Sequence, residues 1–539
     1  MLIISNSKKN IPIIDAKQKL LFEEFIIILD ENFKVQLAGD SLFIHYEGVI
    51  NSGHVPSLTE DEYITRIKSS DFDKIFIKIS RGQVSIYSSL YKKADIYYST
   101  NELGYIDISD DVNILAYLNS NYSLSHDFIH EFIHYNPSSI FTHPVSEFRK
   151  LTSGCATTLS NGVSSIVDLT DLSPGGNSYF ETLSNVIKKA IRNKKTFLHF
   201  TGGLDSSLVF HTMKECGSCF EAIYHKSESY DNDSEELKVS AICKKYGVKL
   251  HLLKLIDRNQ CKEQHFNHPS ECAVDNKFYC SDTFDYEDHK GGGSIFLNGQ
   301  GGDTLFCQNP ASDIGRQLIL KKKPFTAIKK MHQLSNLKGL SFFRLILEAL
   351  NHKKYKQNSK HIASEFGKKN SCSFTHPLMQ VFKGDLLQKR QLEQLLYETE
   401  SLPAPLSSGN HFYSPLLSSS SLKSWLTYPY EQNFNSSHDR AIIRQMAFKR
   451  FREESFLSIK KRSSVNVIFS EIRAYRELLI SAVNDSRIRP LFHMSDESLR
   501  NSVEQNLSVR LDENYSSFLR AIQLKIYLTY LESMPKGIN

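Results

Sequence analysis

The feature that most restricts this chain is an apolar run that ends in two glycines and then opens a helix, Phe197-Leu198-His199-Phe200-Thr201-Gly202-Gly203-Leu204-Asp205-Ser206-Ser207. Adjacent glycines let a backbone approach a ligand with no Cβ in the way. A helix start gathers free N–H groups and the positive end of the helix dipole at one point. Hydroxyls on Thr201, Ser206 and Ser207 add donors, so the segment reads as a cradle for a polyphosphate. It is not a Walker loop, because no Gly-Lys-Ser/Thr closes it. Asp205 would repel phosphate unless a divalent cation bridged the two.

A tight βα turn with an Asp or Ser cap would explain that segment taken alone. It does not explain a second loop, Asn298-Gly299-Gln300-Gly301-Gly302-Asp303, at the end of another apolar run. In an open parallel sheet both loops lie at the carboxyl edge, where ligands bind. Asp205 and Asp303 are then suited to share one magnesium ion.

The surrounding sequence predicts such a sheet. Strands are expected over 196–200, 220–225, 248–253 and 294–298. Helices are expected over 206–215, closed by Gly217, and over 234–246, closed by Gly247. Strand–helix alternation with short connections implies a parallel sheet with helices on both faces. Upstream, short alternating runs at 74–79 and 84–87, an apolar strand at 25–29 and turn residues such as Gly82 read as β-rich, with helical patches at 112–118 and 127–134. Ser173-Pro174-Gly175-Gly176 is the clearest breaker, and Ser178 with Glu181 forms a capping-box pattern before a helix whose face is Leu183, Ile187, Ala190 and Ile191. The expected organisation is α+β then α/β: a β-rich sandwich domain over 1–172, and a second domain over 177–539, helical from about 312.

Composition excludes several classes. Net charge is +5 over 539 residues, too balanced for a bulk nucleic-acid argument, and Lys321-Lys322-Lys323 reads as a solvated face. No run of about 18 apolar residues predicts a membrane span, and the first residues lack the order of a signal peptide. Nine scattered cysteines, an odd number, suggest free buried thiols in a cytoplasmic protein. His130-Glu131-Phe132-Ile133-His134 matches a zinc-protease pattern, but no third ligand is marked. Cys216-Gly217-Ser218-Cys219 ends a helix and has no second pair, so buried thiols are expected there too.

The first loop resembles the Ser-Gly-Gly-x-Asp-Ser motif of the PP-loop ATP-pyrophosphatases, with Thr201 in the first serine's place. The second resembles the Gly-x-Gly-x-Asp segment of asparagine synthetases and β-lactam synthetases. Asp233, His251, Ser414-Pro415-Leu416-Leu417 and Asp439-Arg440-Ala441-Ile442-Ile443-Arg444 resemble further stretches of that family, in the same order. The chain as a whole is most similar to lasso-peptide cyclases, which are macrolactam synthetases. The likeness runs through Phe200–Ser206, Lys245-Tyr246-Gly247-Val248, Gly301-Gly302-Asp303 and Lys461-Arg462-Ser463-Ser464.

This resemblance implies ATP and Mg2+. It implies Thr201, Gly202, Gly203, Asp205, Ser206 and Ser207 at the phosphates, with backbone contacts to adenine at Phe200, Tyr224 and Gly299. Asp205 and Asp303 would be catalytic through the metal. Lys461, with Lys460 as the neighbouring alternative, would supply the cation that stabilises charge at the acyl-adenylate. The implied reaction adenylates an Asp or Glu side chain of a linear core peptide. The peptide's N-terminal amine then attacks, with release of AMP and pyrophosphate. The implied partners are the precursor peptide, a leader peptidase and a leader-binding recognition protein, with no nucleic acid and no membrane.

Two departures matter. Asparagine synthetases carry a cysteine after the initiator Met that hydrolyses glutamine. Here residue 2 is Leu2, so the first domain resembles a glutaminase (Ntn-type) fold without its chemistry. Gln300 stands where the relatives have Glu or Tyr, and an amide cannot accept a proton, which leaves the general base open. The alternatives are a small-molecule amide or β-lactam synthetase, a PP-loop tRNA-modifying enzyme, and a binding protein without catalysis.

Overall fold

The structure is a computed structural model. It describes residues 1–7, 18–30, 33–47, 59–92, 95–101, 103–119, 123–133, 143–161, 163–168, 170, 172, 178–227, 233–255, 293–311, 314–350, 376–400, 411–458, 476–492, 494–508 and 515–533. The breaker at 173–176, His134, Lys460 and Lys461 lie outside the described residues.

Among the described residues, two six-stranded antiparallel sheets occupy the first part of the chain. One holds β1 (Leu2–Ser5), β2 (Gln18–Phe22), β3 (Phe25–Leu29), β8 (Tyr97–Thr100), β9 (Ile106–Ser109) and β10 (Phe148–Lys150), in the order β10-β8-β9-β1-β3-β2. The other holds β4 (Phe33–Ala38), β5 (Ser41–Glu47), β6 (Lys74–Ser80), β7 (Gln83–Ser88), β11 (Cys155–Ser160) and β12 (Val163–Asp168), in the order β12-β11-β7-β6-β5-β4. Period-2 alternation explains their stacking. Ile75, Ile77 and Ile79 of β6 point into a core shared with Ile4, Ile27 and Ile108 of the other sheet. Phe76 points the opposite way, onto Tyr63 of a helix at Glu60–Lys68. On the far side, Ile114 and Leu118 of the helix Val112–Leu118 cover Ile3 and Ile28. The layers are therefore helix, sheet, sheet, helix.

Among the described residues the parallel sheet has five strands: β13 (Thr196–His199), β14 (Glu221–Ser227), β15 (Leu250–Leu255), β16 (Ile295–Leu297) and β17 (His411–Tyr413), in the order β15-β14-β13-β16-β17. Every neighbouring pair is parallel. The four expected strands are present. The fifth, β17, lies within the mostly helical part beyond 312 and was not foreseen, since three residues are too short to show a strand period. The expected capping box forms at Ser178 and Glu181, and the helix Tyr179–Ile191 buries Leu183, Ile187 and Ala190. Its Tyr179 ring lies 5.1 Å from Trp425, which in turn lies 4.7 Å from Phe306.

The last helices do not stand apart from the first sheets. Phe128, Phe132 and Phe148 share a core with Leu479, Phe518 and Ile522 of the helices Arg476–Asn484 and Tyr515–Ser533. Among the described residues, no helix is long and apolar enough to cross a membrane. Cys155, Cys243 and Cys307 are buried thiols, but Cys219 is exposed and Cys216 half-buried. The expectation of buried thiols in that pair is corrected: Cys216 is half-buried, its Sγ 2.9 Å from Ser184 Oγ, and Cys219 is exposed beyond the left-handed Gly217, at φ 69°.

The β-sandwich meets the parallel-sheet region through a buried ionic cluster. Glu400 ends the helix Leu386–Glu400 and lies 3.3 Å from Lys92 and 3.6 Å from Lys150. Burial pushes the Glu400 carboxyl up, but the two ammonium groups and the Ser153 N–H outweigh it and hold it down to about 2. A carboxyl with a depressed folded pKa stabilises the fold above its unfolded pKa, roughly 4.3, and the contribution fades as pH falls towards the folded value. Glu400→Gln is therefore expected to lower stability near pH 7 by about 3 kcal/mol, because Lys92 and Lys150 lose one buried counter-charge and are left with Asp95, 3.4 and 2.8 Å away. The deficit should shrink steadily below pH 4. Urea unfolding of both proteins across pH checks this, and a deficit independent of pH would count against it.

Candidate active site

The chain runs from β13 outward to β14 and β15, then returns to the other side of β13 as β16. Loops that leave β13 and β16 diverge from this switch point, where open parallel sheets bind ligands. The first is Phe200–Ser207. Phe200 N–H donates to the Ile223 carbonyl at 2.8 Å and so continues the sheet to the loop's mouth. Gly202 sits at φ 69°, and a Cβ there would lie 3.1 Å from Val239. Gly203 caps the helix Leu204–Glu215 with no side-chain bond, which leaves its first N–H groups without that competitor. The helix begins two residues earlier than the sequence suggested, because Gly203 and not Asp205 takes the cap position. Thr201 and Ser206 hydroxyls lie 3.1 Å apart across the loop, and Ser206 and Ser207 are buried.

The second loop fits against the first with little clearance. A Cβ on Gly299 would lie 2.6 Å from the Ser206 nitrogen, and one on Gly302 would lie 2.3 Å from Asp205 Oδ1. Gly301, at φ 89°, would bring a Cβ to 2.3 Å from Leu417. Glycine at these positions is what allows the two loops and the turn Pro415–Leu417 to meet. Ser414 Oγ donates to Asn298 Oδ1 at 2.7 Å, and the same oxygen accepts the Gln300 N–H at 3.0 Å.

Asp205 and Asp303 converge on one cation. Arg440 Nη1 lies 3.0 Å from Asp205 Oδ2 and 2.6 Å from Asp303 Oδ1. Arg440 is 2% exposed and sits in the left-handed region, at φ 51°, as it enters the helix Ala441–Phe451. Two carboxylates aimed at one point between a glycine loop and a helix start are a donor set that suits a hard divalent cation. The residues fit the expected metal on that ground. Sequence reasoning named the segment holding Arg440 but not this contact.

Three further contacts were not foreseen. Lys238 Nζ donates to the Gly202 carbonyl at 2.7 Å, and burial lowers its pKa. Glu398 Oε1 accepts from Thr304 Oγ1, the residue after Asp303. Burial, and then the charge of Asp303, raise the Glu398 carboxyl to about 6 against the Thr304 hydrogen bond. Arg444 donates to the carbonyls of Phe456 and Ser458, both at 3.0 Å, and so anchors the chain just before the segment that carries Lys460 and Lys461.

The other expected residues divide between the sheet's ligand edge and the rest of the fold. Tyr224 is buried in β14, where it pairs with Leu252, and Gly299 follows β16 at the site itself. His251 meets Glu221 at 2.5 Å near the start of β14, away from the loops. Asp233 opens the helix Asp233–Lys245, but its side chain lies outside what is described. Phe132 and Ile133 of the zinc-protease pattern are buried, while the side chains of His130, Glu131 and His134 lie outside the described residues.

No family model matches the chain. It is 24% identical over 448 residues to the microcin J25-processing protein McjC of Escherichia coli, a match covering 80% of this chain and 81% of that one. The resemblance read from the loops is thus shown across most of the chain. A solved glutamine phosphoribosylpyrophosphate amidotransferase of B. subtilis matches with 7% identity and a TM-score of 0.16, over 52% of this chain and 63% of its own. A score that low carries no weight for the fold. The similarity to McjC spans most of both chains, so it involves both the sandwich and the loops between β13 and β16.

Proposed function

We propose that this chain is a cytoplasmic, ATP- and magnesium-dependent lasso-peptide cyclase that closes a macrolactam in a linear peptide. The observation that carries the reading is the convergence of Asp205 and Asp303 beside the Gly202-Gly203 loop at the sheet's switch point. The similarity to a microcin-processing protein supports the peptide as substrate.

In this reading the N–H groups at the start of the helix Leu204–Glu215, with Thr201, Ser206 and Ser207, orient the phosphates of ATP. Phe200, Tyr224 and Gly299 border the adenine. Asp205 and Asp303 would hold a magnesium ion, whose chemistry is to neutralise phosphate charge. Lys238 and Arg440 add positive charge at the same loop. An Asp or Glu carboxylate of the peptide displaces pyrophosphate, and the peptide's N-terminal amine then displaces AMP. Lys461, or Lys460 beside it, stabilises the charge that develops in these steps.

Gln300 cannot take the amine's proton, and we assign that task to Glu398. A carboxyl raised to about 6 is a stronger base than an ordinary one and remains largely ionised at neutral pH. Glu398→Gln is expected to lower kcat on the order of 10²-fold with KM for ATP little changed. An unchanged kcat would remove Glu398 from the mechanism.

The division at 172/177 belongs to the same proposal. The helix–sheet–sheet–helix layering supports a glutaminase-like first domain, and Leu2, buried in β1, offers no nucleophile. The amine then comes from the peptide itself. A leader peptidase, assisted by a leader-binding recognition protein, frees it. The decisive experiment combines the chain with precursor peptide, peptidase, ATP and magnesium. AMP and pyrophosphate should appear together with a peptide lighter by one water. ADP in place of AMP would sink the adenylation step.

A further inference from the structure

The loop 298–304 contains Gly299, Gly301 and Gly302, and such a backbone has much freedom to lose. Its order has to come from what surrounds it. Two buried connections lead from it to the β-sandwich. The first runs through the helix Leu386–Glu400. On the loop side, Gln391 Nε2 donates to the Leu305 carbonyl at 2.6 Å, and Glu398 accepts from Thr304. On the sandwich side, two residues beyond Glu398, Glu400 Oε1 accepts the Ser153 N–H at 2.7 Å. Its carboxylate also faces Lys92 and Lys150, and Lys150 Nζ reaches the Glu400 carbonyl at 3.3 Å. A cation on the last carbonyl of a helix also suits the helix dipole.

The second connection uses β17. Tyr91 of the sandwich, fully buried, accepts the Ser414 N–H at 2.9 Å. Ser414 Oγ then holds Asn298, whose side-chain oxygen accepts the Gln300 N–H. The two routes share no residue outside the loop region, and both end within it.

We propose that the β-sandwich positions the 298–304 loop through Glu400 and Tyr91, so that a domain with no chemistry of its own sets the geometry of the synthetase site. Glu400 and Tyr91 are positioning residues: neither touches the site except through the helix end or Ser414. The kinetic consequence rests on the proposed cyclase reading, whereas the structural consequence does not.

Hydrogen exchange on the full chain separates positioning from plain stabilisation. The comparison takes the unaltered protein, Glu400→Gln, Tyr91→Phe, and Ile44→Ala as a control that opens the sandwich core at a residue belonging to neither connection. In Glu400→Gln and Tyr91→Phe the amides of 299–306 should exchange roughly ten-fold faster or more, while those of 201–207 change by less than about two-fold. Ile44→Ala should show no such selectivity. With ATP and peptide, kcat should fall roughly five-fold or more at a KM for ATP within about two-fold of the original. If Glu400→Gln does not fold, Tyr91→Phe decides alone, since it removes one oxygen. Exchange at 299–306 that rises no more than at 201–207 would overturn the proposal. If the unaltered protein makes no AMP, the cyclase reading fails, and the exchange result still decides this one.

Discussion

Asp205→Asn should lower the rate of AMP formation on the order of 10²–10³-fold while the protein stays folded. Asparagine keeps the size and hydrogen-bonding reach of aspartate and removes the charge. The side chain is 16% exposed in the first turn of its helix, and Asp303 remains to face Arg440, so most of the local packing survives. The stability change should be small, about 1 kcal/mol, from the lost carboxylate at a helix N-terminus and one weakened ion pair. The loss of rate should be large, because a phosphate beside a neutral residue 205 would have lost half of the acid pair that holds its counter-cation. Asp303→Asn should have a similar effect. If the two acids act as a unit, the double variant should be little worse than either single one. Rates that multiply instead would mean the two carboxylates serve separate purposes, and a full rate in Asp205→Asn would dismantle the site as assigned. Circular dichroism and denaturant unfolding on the same samples keep loss of fold from being mistaken for loss of chemistry.

What the sequence revealed follows from how local each signal is. The loop at 201–207 was legible because a second glycine loop with its own acid, 298–303, ends another apolar run; alone it would read as an ordinary βα turn. The capping box at Ser178 was legible because both partners lie within one turn. The strand order was inferable only as far as alternation with helices implies a parallel sheet. The short β17 escaped because three residues carry no period, and it supplies the edge that places Ser414. Arg440 reaches acids 235 and 137 residues away, and no spacing rule links positions so distant. Glu398 sits on an ordinary helix, and its environment comes from Thr304, 94 residues earlier. Its raised carboxyl comes from burial and from the charge of Asp303, neither of which the local sequence shows. The same holds for the joining of Phe128 and Phe132 to the last helices, which the compositional break near 173 gives no reason to expect.

Arg440→Met should destabilise the protein by about 3 kcal/mol and make its stability depend on magnesium. The guanidinium is the charge that lets Asp205 and Asp303 lie close together, with oxygens 3.0 and 2.6 Å from one nitrogen. Methionine fills much of the space, so the change tests charge more than volume. Breaking a buried ion pair costs 3–5 kcal/mol as a rule; half-exposure of Asp303, at 46%, lets water screen part of the repulsion and places the estimate at the lower end. The left-handed backbone at Arg440 is a second reason: φ 51° in a non-glycine residue costs on the order of 1 kcal/mol and is held by the contacts its side chain makes. Added magnesium should then raise the melting temperature of Arg440→Met more than that of the unaltered protein. Binding to the folded state alone stabilises it by mass action, and the variant has no resident cation to compete. Arg440→Lys should behave between the two. A sodium salt at matched ionic strength is the necessary control, since screening alone would help both proteins through the same charges. If Arg440→Met melted at the original temperature and ignored magnesium, the two carboxylates would not be a cation site. The assignment of Asp205 and Asp303 to a metal would then fail independently of any assay of the reaction.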